Sequence, residues 1–156
     1  MESLFAALEG TDLAQTLRGS RWAYAGVNAA HIFAIALLIG SVVPLNLRLL
    51  GAWPGIPRDA VTRLLVPVAA SGLILALLSG SLLFLVRASE YSGIGFLQIK
   101  LGLVSVGVLS TLALCRSHGF LLKDAPRSRL VGHAVLSMVC WPGALVCGRL
   151  IAFAGD

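Results

Sequence analysis

The chain has 156 residues, 58% of them hydrophobic and only 12% charged, with a formal net charge of +5. At a mean hydropathy of +0.91 the apolar runs account for nearly all of it, so any large catalytic unit is expected on another polypeptide. The basic residues sit beside apolar ends, which fits membrane orientation and leaves no nucleic-acid partner expected.

Residues 1–20 place Leu4, Phe5, Leu8, Ala14 and Leu17 at partly helical spacing, with Gly10 and Thr11 between them. That pattern predicts a short helix along the membrane interface. The segment lacks the positive start and short apolar core of a cleavable signal, so the first span itself is expected to direct insertion. Four apolar runs follow. Residues 22–47 and 64–86 carry no formal charge, 91–115 carry only Lys100, and 130–148 again carry none. A hydrocarbon core of roughly 30 Å needs about 20 helical residues, which each run approaches or exceeds. Continuous runs of this kind are not the alternating segments of a barrel. The predicted fold is all-α: a four-helix transmembrane bundle (residues 21–156, spans near 22–47, 64–86, 91–115 and 130–153) after an interfacial segment (1–20).

The connections carry their own signals. Pro54, Gly55 and Pro57 make the first a firm turn, with Asp59 positioned to cap the next helix. The second, residues 89–95, is brief and predicts that spans two and three are antiparallel neighbours. The third is longer and basic, its residues 120–122 expected to dip toward the interface while its charges meet anionic lipid. Gly72, Ala76 and Gly80 form a small-residue stripe in span two, read as intramolecular packing in preference to a homodimer face. Pro142 is expected to kink span four.

With the N-terminal side of the membrane called side A, side B collects seven basic residues: Arg48, Arg58, Arg63, Arg116, Lys123, Arg127 and Arg129. Side A holds four, Arg18, Arg21, Arg87 and Arg149. The excess predicts side B as cytoplasmic, with both termini periplasmic in a bacterial inner membrane.

Ionisable groups inside a span are costly, and mark function by default. His31 lies roughly 13 Å below side A at 1.5 Å per residue, Lys100 at similar depth, and Arg149 where span four regains that surface. Together they predict an electropositive pocket suited to a haem propionate, a quinone carbonyl, a lipid phosphate or a partner's carboxylate. His118 and His133 belong to side B. Imidazoles on different helices can ligate haem iron, so His118 with His133 is one candidate cofactor-binding pair and His31 with His133 the other, the latter two being the candidate metal ligands. Their heights differ by roughly 10 Å. His133, Cys140 and Cys147 share a stripe that could pass copper, but core packing is the simpler reading. Cys115, Cys140 and Cys147 fall inside spans and read as small core residues, not as disulfide or zinc partners. No phosphate loop, nucleophile elbow or paired carboxylates are present, so no catalytic residue is assigned.

From Leu17 to Phe153 the chain resembles an uncharacterised family of small bacterial four-helix membrane proteins. The family pattern is Ser-x-Trp, a His in span one, Asp-Leu-Arg-Leu-Leu-Gly at its end, a Lys in span three and a late Gly-Arg. Ser20, Trp22, His31, Arg48, Lys100, Gly148 and Arg149 match it, whereas Asn46 stands where the Asp would be. The layout is also similar to D-type copper-resistance proteins and small b-type cytochromes, at the level of fold. The leading expectation is a non-catalytic electron-transfer subunit that binds haem b or, alternatively, a quinone, and serves a partner in the membrane or periplasm. The rivals are a cofactor-free anchor or accessory subunit and a copper or small-solute permease.

Overall fold

In a computed structural model, which describes residues 2–119, 122, 125–151 and 153, the local signals above become seven helices and no strand among those residues. Thr11 opens α2 (Asp12–Gly19) by accepting from the Ala14 amide, which splits it from α1 (Glu2–Glu9). Ser20 does the same for α3 (Arg21–Leu50), accepting from the Ala23 amide at 3.3 Å. That helix stops at Gly51, whose φ of +116° only glycine adopts readily. There the amides of Gly51 and Ala52 reach back to the carbonyls of Arg48 and Leu47 and close the helix end.

Helix α4 (Arg58–Val86) starts behind Pro57, not behind an aspartate cap. Asp59 lies in its first turn, where a carboxylate meets the positive end of the helix dipole. After the short α5 (Ala88–Ser92) come α6 (Gly95–His118) and α7 (Arg127–Ile151). The four long helices have 24 to 30 residues each and are apolar enough to cross a membrane. At 1.5 Å per residue they measure roughly 36–45 Å, enough for a hydrocarbon core of about 30 Å. The chain is a multi-pass membrane protein built as an all-α bundle.

The helices are arranged in the order α4, α3, α7, α6, with α3 and α7 central. Each contact has a chemical reason. A Cβ at Gly72 would stand 2.7 Å from the Leu38 amide nitrogen, so only glycine lets α4 seat on the α3 backbone. Gly107 gives α6 a notch for the Trp141 ring of α7. Across the central pair, the Asn46 amide donates to the Ser137 hydroxyl at 2.8 Å, deep in the protein where Asn46 is 1% exposed.

Spans two and three are therefore not packed neighbours, despite the short stretch between them. α5 and its flanking glycines bridge a gap, because the close-approach notches face α3 and α7 instead. The expected dip at residues 120–122 falls largely outside the described residues, although Leu122 itself is buried in a side-B cluster with Leu49, Leu114 and Leu130.

The N-terminal pair of helices is fastened over the side-A end. Glu9 accepts from the Ser89 amide at 2.8 Å and from the Ser89 hydroxyl. Arg18 lies 3.4 Å from the Glu9 carboxylate and donates to the Val86 carbonyl, while Phe5 meets Phe84 edge to face. The Ser89 hydrogen bonds, assisted by Arg18, hold the Glu9 carboxyl below its ordinary value of 4.5. A depressed carboxyl stabilises the folded arrangement above its unfolded value and loses that contribution as pH falls through the folded one. A spin label at Leu13→Cys should therefore gain mobility as the pH falls below the ordinary carboxylate range. In Glu9→Gln the label should already be mobile at neutral pH. A flat response in both would mean the Phe5 and Leu17 packing holds α1 and α2 unaided.

Candidate functional site

The gap between α4 and α6 is a cavity of about 390 Å³, floored by α3 and α7. Its walls are almost wholly apolar, with Leu73, Phe84, Leu97 and Trp141 among them. Among the described residues, its titratable side chains are His31 from α3 and Lys100 from α6, with the Trp141 indole and the Ser81 hydroxyl as the other polar groups in the lining.

His31 is oriented by α4. Its Nδ1 lies 2.9 Å from the Ser79 Oγ, and that hydroxyl is committed to the Leu75 carbonyl at 2.6 Å. With its proton used there, Ser79 accepts, so Nδ1 carries the hydrogen. In a neutral imidazole this leaves Nε2 with a free lone pair. Gly80 makes room for the ring, since a Cβ there would be 3.0 Å from His31 Cε1. The stripe in span two thus has two jobs, close helix contact at Gly72 and a seat for the imidazole at Gly80.

Lys100 reaches over the last turns of α7. A Cβ on Gly148 would stand 3.2 Å from its Nζ, so the Gly-Arg pair matters first through its glycine. The amine is in electrostatic range of both Cys147 and His31. It also approaches the negative end of the α7 dipole.

The remaining sequence-derived residues lie elsewhere. Arg149 is exposed, its guanidinium 4.8 Å over the Phe153 ring, and it does not line the cavity. His133 joins α7 to α6 through Ser110 Oγ, 2.8 Å from its Nδ1, and is likewise absent from the lining. His118 is near the side-B end of α6, with a buried Nε2 that has no hydrogen-bond partner among the described residues. No cluster of three or more His, Cys, Asp or Glu side chains suited to a metal occurs among the described residues. Ser79 and Trp141 are the site residues that sequence reasoning missed. Ser79 adjoins Gly80 in the stripe, which was the available signal.

Chemically, the site offers one amine and one imidazole lone pair at the edge of an apolar slot between two spans that do not pack together. No protein-family model, curated protein or solved structure matches the chain.

Proposed function

We propose that this protein is a non-catalytic redox subunit that binds a membrane quinone in the α4–α6 cavity and passes electrons to a partner protein. The observation that carries the reading is the convergence of Lys100 and His31, from different helices, on one otherwise apolar cavity. An ammonium donates to a quinone carbonyl, and the Nε2 lone pair accepts from the hydroxyl of the reduced form. A volume near 390 Å³ lies in the range of small-molecule sites, and the lateral gap gives an isoprenoid tail a path to lipid. Haem b, the other cofactor expected, would meet one imidazole in this cavity instead of two axial histidines. The seven-to-four basic bias supports an orientation with both termini on the side away from the cytoplasm.

Titration of the purified protein in mild detergent with a short-tailed ubiquinone or menaquinone tests the assignment. Lys100→Met and His31→Ala should each weaken binding by about tenfold or more, the size of a lost charge-assisted or buried hydrogen bond. Arg149→Met and His133→Ala should bind as wild type. Equal binding in all four variants would remove the site. A reduced-minus-oxidised spectrum with haem bands that vanish in His31→Ala would replace the quinone with haem b.

A further inference from the structure

A second cavity, of about 420 Å³, opens at the opposite end of the bundle and is unlike the first in chemistry. Three guanidinium-bearing residues line it from three segments: Arg48 at the end of α3, Arg58 at the start of α4 and Arg127 at the start of α7. Among the described residues Asp59 is the carboxylate in the lining, and Leu49 and Leu130 form its apolar floor.

The cations are placed by the fold. Arg48 is fixed by its own Nε, which donates to the Ile56 carbonyl at 2.8 Å across the Gly51 turn. That bond occupies Nε, and among the described residues no hydrogen bond of the terminal nitrogens of Arg48 is seen. Arg58 and Asp59 are engaged within the fold. Leu49 and Leu130 belong to a buried cluster with Leu114 and Ala134, so the segments that carry Arg48 and Arg127 are tied to one core. Arg48 and Arg127 add two guanidiniums to the lining beside Arg58 and Asp59, an excess of positive charge among the described residues that favours an anion. Planar guanidiniums match the paired oxygens of a phosphate.

We propose that Arg48, Arg58 and Arg127 form a binding site for a phosphate group, supplied by the headgroup of an anionic phospholipid. The position of the cavity at the ends of three spans, with an apolar floor, favours a lipid over a free ion. The site is independent of the quinone reading and sits at the other end of the molecule.

Retention of phosphatidylglycerol against phosphatidylcholine, measured by native mass spectrometry from dodecylmaltoside micelles, tests it. Wild type should retain phosphatidylglycerol preferentially. Arg127→Gln and Arg48→Gln should each weaken retention about fivefold, the effect of one basic residue near an anionic surface. Arg63→Gln and Arg116→Gln remove exposed charges on the same side that do not line the cavity, and should change little. Equal losses in all four variants would show diffuse surface charge and overturn the site, as would no preference in wild type. Inorganic phosphate in a phosphatidylcholine background separates the sources. Protection by phosphate alone that is lost in Arg127→Gln would keep the phosphate site and make a free anion its ligand.

Discussion

Gly72→Leu is expected to lower the apparent thermal unfolding midpoint in detergent by about 10 °C, equivalent to roughly 3 kcal/mol. The reason is backbone contact. A Cβ at position 72 would stand 2.7 Å from the Leu38 nitrogen and 3.0 Å from the Ala34 carbonyl oxygen, and neither can swing aside as a side-chain tip would. In lipid, helices associate through packing, because lipid tails are as apolar as leucine. A forced separation of α3 and α4 therefore removes the main source of their affinity. Gly40→Leu and Gly102→Leu put the Cβ where nothing lies within 4 Å, on exposed faces of their helices, and should leave the midpoint near wild type. Gly80→Leu should behave differently again. Its Cβ meets the His31 ring, not backbone, so ligand binding should suffer more than the fold. If Gly72→Leu melts like Gly102→Leu, the α3–α4 contact does not govern stability.

This contrast among glycines shows where sequence reading stops. Four long apolar runs are legible from composition because lipid allows few alternatives, and the depths of His31 and Lys100 follow from helical rise alone. What counting cannot give is rotation about each helix axis. Arg149 has about the height expected, yet it turns outward over Phe153 while the adjacent Gly148 faces Lys100. The missing contact between α4 and α6 was hidden for a related reason. Loop length limits which helices can be neighbours, but the positions of Gly72 and Gly107 decide which of them pack. Asn46 is a third instance. In the sequence it is a departure from an expected aspartate, and in the fold it is the buried donor that joins α3 to α7 through Ser137.

Trp141→Ala is expected to release α6 from the bundle. Trp141 is 5% exposed and packs with Leu38 and Val42 on one side. On the other it fills the notch at Gly107, where a Cβ would stand 3.2 Å from its ring. Since α6 is attached chiefly through α7, loss of the indole leaves that interface with a void. Large-to-small core changes at tryptophan cost about 3–5 kcal/mol in water-soluble proteins. The water-transfer share is absent in lipid, so about 2–4 kcal/mol is expected here. Hydrogen exchange in α6 should rise in nanodiscs, and quinone binding should fall with it, because α6 carries Lys100 and one wall of the cavity. Trp141→Phe should retain most of both. The comparison with His31→Ala separates architecture from recognition: that variant should lose binding while α6 stays protected. If Trp141→Ala keeps α6 protected and binds quinone normally, the cavity does not depend on this contact and another one holds α6 in place.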